Sequence, residues 1–483
     1  MKNLKYIFAL GLGLFASSCK ETLEVNPQDQ IDAGNALTNI TGVNSLLSTV
    51  YANLRGAGHY GANYKILPDI MADNIYPIPG LNSNRLIQES VNAPRAHFAP
   101  WGFYTGGINT ANLVIDATGK VEGTDAQKNR ILGQAYGLRA LFYWDMVKVF
   151  GYSPMFPVGS NNLGVPIITT PTTTAAGVTF PKRNTVVEVY TQIEKDLLAA
   201  EAILDNSVTA PFYMSKVAVQ AILSKVYLYW GKYPEAASYA DKVIQARGNT
   251  FVSGADYTGM YYRDSNPEAV FEIAFQLVQS LGNTGLQSLY AQFPADYSKR
   301  QDQAAFDNNA EPKTGYGDFT PTPELLALYE PGDVRRGTIT TARKSNTVVN
   351  YVRKHTPTQG NNFLQNVVVF RISEMYLIRA EANFRAGTST GASPQADLDK
   401  IRLRAGLASV PVSIPAILKE RRIELAFEGD RWFDLVRLGM DVPKTTALGS
   451  IAAINYNTDY RILAPLPIAE LSVNPNLVNN AGY

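Results

Sequence analysis

Apolar residues recur every three or four positions along several stretches of this chain, and between those stretches the recurrence stops. Lys216 to Arg247 shows the pattern best. Leu223, Tyr227 and Trp230 share one helical face, Gly231-Lys232-Tyr233-Pro234-Glu235-Ala236 interrupts, and Tyr239, Ala240 and Val243 share the next face. The spacing predicts two amphipathic helices joined at Gly231. Arg371 to Leu407 predicts a second, degenerate pair, with Gly387 and an insertion from Thr388 to Ala392 between its helices. Asp125 to Phe150 with Thr185 to Leu204 predicts a third pair, split by a long Pro/Thr-rich excursion. Asn35 to Leu54 with Trp101 to Ala117 predicts a fourth.

The Gly-x-Tyr-x-x-Ala junction at Gly231, Tyr233 and Ala236 resembles a tetratricopeptide repeat. Such pairs cannot bury their apolar faces alone, so they stack. The expected fold class is mainly α: tetratricopeptide-like helix pairs forming a superhelical scaffold, with an irregular loop-rich ligand-binding lobe. The scaffold falls at about 35–55, 101–150, 185–247 and 371–438, and the lobe at about 56–100, 151–184 and 251–365. The lobe segments are rich in Pro, Gly, Asn, Thr and Tyr, with short strand-like runs at Val270 to Phe275 and Val367 to Ile372. Loops of this length are functional or disordered, and their aromatic content favours packing.

The first residues follow another pattern. Met1 to Lys5 is basic, Tyr6 to Phe15 is apolar apart from two glycines, and Ala16-Ser17-Ser18 leads into Cys19, the only cysteine. A basic start, an apolar run too short to span a bilayer and small residues at the cut read as an export signal over residues 1–18. A cysteine directly after that signal is the position that bacterial lipoprotein processing acylates. Each buried methylene contributes roughly 0.8 kcal/mol, so several acyl chains on Cys19 would hold residues 19–483, read as a single domain, at a membrane surface. The 43 basic and 42 acidic residues balance, which gives no reason to expect nucleic acid.

Motifs for common chemistries are missing. Gly56-Ala57-Gly58-His59-Tyr60-Gly61 spells a dinucleotide fingerprint, but it follows a helix, and Pro68 cuts short any helix after it, so it reads as a flexible turn. His59, His97 and His355 lack ligand spacing, and no phosphate loop, His-Glu-x-x-His or Gly-x-Ser-x-Gly occurs. No catalytic residue, metal site or cofactor is assigned. A glycosidase carboxylate pair is not visible in sequence, because its members meet only in the fold.

Lys419 to Gly439 is densely charged. Glu420, Glu424 and Glu428 fall at four-residue steps on an expected helix, with Arg421, Arg422 and Arg431 near enough to pair. An acid/base site and a buried ion network both fit. The network is favoured, because arginine forks satisfy carboxylates bidentately and Ile423, Leu425, Phe427 and Trp432 would pack around it.

Glu420-Arg421-Arg422-x-Glu424-x-x-x-Glu428-Gly429-x-Arg431-Trp432-x-Asp434-Leu435-x-Arg437 resembles the C-terminal signature of the SusD/RagB family. Ala135 to Gly151, with Leu138-Arg139-Ala140 and Tyr143-x-Asp145, resembles that family's second-repeat helix. Arg371 to Ala382, Leu398 to Leu407 and the tail from Leu466 to Tyr483 agree in order. The resemblance implies a cell-surface lipoprotein of Bacteroidetes, lipid-anchored to the outer membrane and facing the exterior. It implies a non-enzymatic protein that binds oligosaccharide and passes it to a SusC-like TonB-dependent transporter. Some members bind peptides instead of sugars. A surface glycosidase and a protein- or peptide-binding repeat scaffold are the alternatives.

The candidate ligand residues are Asp73, Asn74, Tyr76 and Arg85 in the early loop, which often lines the family's site, with Trp101, Tyr290, Tyr297 and Tyr316 as aromatic partners. Aromatic faces meet apolar sugar faces, while Asp, Asn and Arg pair with hydroxyls. For Trp101 the competing reading is a core residue opening a helix, and for the tyrosines it is packing within the lobe.

Overall fold

The computed structural model describes residues 37–159 and 162–483; the export signal and Cys19 lie outside them. The helices of seven or more residues are α1 Ile40–Leu54, α2 Asn63–Ile70, α3 Asn109–Thr118, α4 Asp125–Phe150, α5 Val186–Ile203 and α6 Lys216–Trp230. They continue with α7 Tyr233–Arg247, α8 Ile372–Ala386, α9 Pro394–Arg404, α10 Ile414–Glu424 and α11 Arg431–Arg437. Among the described residues no helix is long and apolar enough to cross a membrane.

The four predicted pairs pack as pairs: α1 on α3, α4 on α5, α6 on α7 and α8 on α9. Each pair also packs on the next, through α3 and α4, α5 and α6, and α7 and α8, so the order along the chain is the order of the stack. Local chemistry sets the ends. Thr124 with Gln127, and Thr185 with Glu188, form capping boxes at the starts of α4 and α5. Gly231 (φ 77°) and Gly387 (φ 65°) end α6 and α8 in the left-handed region, where a Cβ is costly. α4 is buried on nearly every face from Leu138 to Val147, which makes it the axis of the scaffold.

Three expectations change. The helix expected from Trp101 begins as a 3-10 turn at Pro100–Gly102 and a π turn at Tyr104–Ile108, and only then becomes α3. A Cβ on Gly107 would lie 2.5 Å from the Phe142 ring, so the wide turn sets its glycine against α4. Pro68 does not prevent a helix: α2 runs through it and stops two residues later. The turn before α2 is also firmly packed, since His59 Nε2 and the Tyr60 hydroxyl meet the buried Asp145 carboxylate at 3.0 and 2.7 Å.

The intervening segments form small antiparallel pairs. The strands of three or more residues are β1 Ile75–Pro77, β2 Ala269–Ile273, β3 Phe319–Pro321, β4 Ile339–Lys344, β5 Thr347–Val352 and β6 Val367–Arg371. β1 pairs with β3, β2 with β6 and β4 with β5. The two strand-like runs expected from sequence are therefore partners, β2 and β6. Ile78, Phe293, Phe306, Ala342, Val349 and Tyr351 belong to a small apolar cluster of their own under the β4–β5 hairpin.

Candidate functional site

The charged C-terminal segment is a buried ion network, and it reaches the early loop. α10 ends at Glu424 instead of continuing, and the chain turns through Phe427 (φ 71°) and Gly429 (φ 82°) before α11. A Cβ on Gly429 would lie 2.9 Å from the Lys65 carbonyl oxygen, so glycine is required there. Glu420 and Glu424 thus sit on α10, while the turn delivers Glu428. Glu424 meets Arg371 and Arg404, each at 2.6 Å, and Glu428 meets Arg371 and Lys354, each at 2.8 Å. Burial alone would raise the Glu428 carboxyl, but Arg371 and Lys354 hold it at about 2.

None of Arg421, Arg422 and Arg431 pairs with these glutamates: Arg421 meets Glu374 and Asp434, each at 2.8 Å, while Arg422 and Arg431 grip Asp73. Arg431 Nε donates to Asp73 Oδ1 at 2.7 Å, and Arg422 Nη2 lies 3.0 Å from Oδ2. Arg422 Nε donates to Asn74 Oδ1 at 3.0 Å, and Asn74 Nδ2 donates to Asp69 Oδ1 at 2.6 Å. Burial lifts the Asp69 carboxyl to about 6 and lowers Arg422 to about 10, with Arg431 adding to the latter.

Asp73 and Asn74 are 5% and 1% exposed, and their polar side chains are spent on protein partners. The expectation that they touch ligand is corrected: they are positioning residues. Their carbonyls accept from Thr322, at 2.8 Å from its hydroxyl and 3.0 Å from its N–H, which sets β1 against β3 with Tyr76 opposite Thr320.

That pairing brings Arg85 to Tyr316. The guanidinium carbon of Arg85 lies 3.7 Å from the centre of the Tyr316 ring, and both residues are half-buried. Such a contact contributes about 0.5–2 kcal/mol depending on desolvation. Arg85 is flanked by Asn84 (φ 62°) and Leu86 (φ 52°), both in the left-handed region that non-glycine residues rarely occupy. Strain of this kind collects at binding sites. Gly315 (φ 90°) and Gly317 (φ 53°) flank Tyr316, and at either one a Cβ would lie 2.7 Å from its nearest neighbour.

Three residues missed in the sequence complete this shelf. Asp318 Oδ1 accepts the Ser83 N–H at 3.0 Å, and Lys344 Nζ donates to the Tyr316 and Gly317 carbonyls at 2.7 and 3.0 Å. Only Gly315-Tyr316-Gly317 carried a signal, two glycines turning the chain tightly around one ring.

The other aromatic candidates go elsewhere. Tyr290 is fully buried; its ring stacks on His355 with centroids 4.9 Å apart, and no face is left for a ligand. Tyr297 is half-buried beneath Arg300, at 4.1 Å, as a separate pair. Trp101 packs edge-on against Tyr104 and Phe150 and lines a different cavity of about 680 Å³, with Asn109, Asn112 and Glu470, which neither Arg85 nor Tyr316 borders. The structure therefore joins Arg85 to Tyr316, places Tyr76 opposite Thr320 near the Glu324 carboxylate, and disperses the rest.

Known proteins share this architecture. A family model described as "SusD family" matches residues 338–483, and one described as "Starch-binding associating with outer membrane" matches residues 23–228. SusD-like protein P2 of Formosa agariphila is 28% identical over 420 residues, covering 78% of each chain. The starch-binding protein SusD of Bacteroides thetaiotaomicron is 27% identical over 470 residues, covering 81% of this chain and 80% of that one. A SusD superfamily crystal structure from Bacteroides thetaiotaomicron superposes with a TM-score of 0.79 at 26% identity, over 92% of this chain and 100% of that one. A laminarin-binding SusD-like protein superposes with a TM-score of 0.73 at 26% identity, over 92% and 100%. With matches at both ends, relatives across most of its length and a shared helical stack, the chain belongs to the SusD/RagB family.

Proposed function

We propose that this protein captures glycan at the outer membrane without cleaving it, on the shelf formed by Arg85 and Tyr316. The observation that carries the reading is the half-buried Arg85–Tyr316 stack. In it the guanidinium covers one face of the ring and leaves the other to a sugar, on a strained loop that Arg422 and Arg431 hold through Asn74 and Asp73. Sugar hydroxyls lose water on binding and must be paired again, which the guanidinium fork can do, while the ring takes an apolar sugar face. Relatives named as starch-binding and laminarin-binding support a glucan as the first ligand to try. The carboxylates of Asp73 and Asp318 are held by Arg431 and Ser83, which favours capture over hydrolysis. An open shelf buries little area, so affinity for short oligosaccharides is weak.

In this reading Cys19 carries the lipid anchor, and a SusC-like TonB-dependent transporter receives the captured oligosaccharide. Calorimetry with starch and laminarin oligosaccharides tests the shelf: Arg85→Ala and Tyr316→Ala abolish measurable binding while the melting temperature holds. Binding unchanged in both variants removes the shelf, and release of new reducing ends by the purified protein refutes capture without catalysis. Pull-down from detergent-solubilised outer membranes tests the partner; recovery of this chain alone, where similar complexes survive, counts against it.

A further inference from the structure

A groove of about 740 Å³ lies between α1 and the segments around residues 212–213, 264–265, 274–279 and 359–366. None of the shelf residues lines it. Its walls are polar and aromatic, and its polar groups are only partly satisfied by protein.

Arg55, just past α1, is half-buried. Its Nε donates to the Ala274 carbonyl at 2.6 Å, which fixes the fork, and no carboxylate among the described residues lies within ion-pair distance. Its two Nη groups have no protein acceptor among the described residues. Burial lowers its pKa, the direction expected of a cation without a counter-charge. Tyr213 is 45% exposed and stands edge-on to Tyr51, with centroids 6.2 Å apart at 88°, so its ring is oriented before any ligand arrives. Gln279, in the groove wall, accepts the Gln276 N–H through Oε1 at 2.9 Å, which leaves its amide N–H groups without an acceptor among the described residues. Across the groove, Gln359 adopts φ 56°, and its N–H donates to Asp264 Oδ1 at 2.8 Å. That contact holds an exposed carboxylate and a left-handed glutamine at one rim.

We propose that this groove is a second saccharide site, separate from the shelf, and that it takes an anionic sugar residue, with the carboxylate or sulfate on Arg55. A planar fork held at one nitrogen and open at two others matches the two oxygens of such a group. Tyr213 stacks on a neighbouring sugar ring, Gln279 donates to its oxygens, and Asp264 accepts from a hydroxyl at the far side. The proposal does not depend on the shelf: a glycan chain binds either site alone, and one long enough binds both with gain in avidity.

Calorimetry with an oligogalacturonate, a sulfated galactan oligosaccharide and a neutral laminarin oligosaccharide separates the two sites. Arg55→Ala weakens binding of the anionic sugar about tenfold or more, the loss expected for hydrogen bonds to a charged group. Arg55→Lys restores it only in part, Tyr213→Ala weakens it as well, and Arg85→Ala leaves it unchanged. Wild-type affinity for the anionic sugar falls as salt rises. Binding of the uronate alone assigns a carboxylate, and binding of the sulfated sugar alone assigns a sulfate ester. The proposal is overturned if wild type binds neither anionic sugar, if Arg55→Ala and Tyr213→Ala both bind as wild type does, or if Arg85→Ala removes the anionic ligand. Neutral laminarin binding lost in Arg85→Ala and kept in Arg55→Ala upholds the shelf whichever way the groove falls. Melting curves of each variant confirm that it folds, and Tyr213→Ala carries the test if Arg55→Ala does not.

Discussion

Replacing Glu424 with Gln is the sharpest probe of the buried network. The side chain keeps its size and loses its charge. Glu424 Oε1 accepts from Arg371 and Arg404 at 2.6 Å each and from the Tyr257 hydroxyl at 3.3 Å. Among the described residues Oε2 has no hydrogen-bond partner, and it faces Arg335 at 3.6 Å. Burial would raise this carboxyl, yet Arg404, Arg371 and Arg335 hold it well below the ordinary range. The connected charges are Arg335, Arg371, Arg402, Arg404 and Lys354 against Glu268, Asp333, Glu420, Glu424 and Glu428, with the Glu330–Lys419 pair at the exposed rim. The Gln variant therefore leaves one positive charge uncompensated where every arginine is buried. Its amide cannot help: an N–H₂ at the Oε1 position meets two guanidinium groups, and at the Oε2 position it points at a third. Stranding a buried charge costs about 3–5 kcal/mol. As a control, Lys419 and Glu330 form a pair with side chains 39% and 37% exposed, and Lys419→Ala costs about 0–1 kcal/mol. Urea unfolding followed by tryptophan fluorescence reads both, and an unchanged slope shows that the denatured state is comparable. The reasoning fails if Glu424→Gln loses no more than the Lys419→Ala control.

Asp73→Ala distinguishes a positioning residue from a ligand contact: it lowers stability by about 2–4 kcal/mol, because Arg422 and Arg431 lose their shared carboxylate, and weakens shelf binding with it. A variant as stable as wild type with selectively lost glycan affinity would restore the direct contact expected from sequence. Stability falls as pH drops from about 4.5 to 2, because Glu428 and Glu381 are both held at about 2 against an ordinary 4.5, so the stabilisation is complete above the unfolded value and disappears below the folded one. Asp69, raised to about 6, works in the opposite sense, favouring the fold at low pH and losing that contribution as pH rises through 6. Urea midpoints measured against pH, flatter on the acid side in Glu428→Gln, check this; an identical acid slope in that variant refutes it. Cys19→Ala releases the protein from membranes and abolishes labelling by fatty acid, and wild type that fractionates without lipid contradicts the anchor.

The helical pairs were legible because each is a local statement. Period, cap and closing glycine lie within one stretch of sequence, as with Leu223, Tyr227 and Trp230 before Gly231, and packing only had to set neighbours in order. The C-terminal signature was legible too, and its structural role followed from the chemistry of arginine forks. The site was legible in part. Arg85 and Tyr316 were named, but so were Asp73, Asn74 and Tyr290, because a loop aspartate or tyrosine carries no mark of whether its polar atoms face solvent or another part of the chain. The partners that bury Asp73 lie about 350 positions later, at Arg422 and Arg431, and those that shape the shelf come from Ser83, Asp318 and Lys344. The groove around Arg55 and Tyr213 gave no signal at all, since five separate segments build it. By itself the sequence determined the helices, their pairing and the charged signature, all written in short-range periodicity and composition. Only the tertiary structure decided which of its polar and aromatic side chains remain free for a ligand, because that depends on contacts between residues hundreds of positions apart.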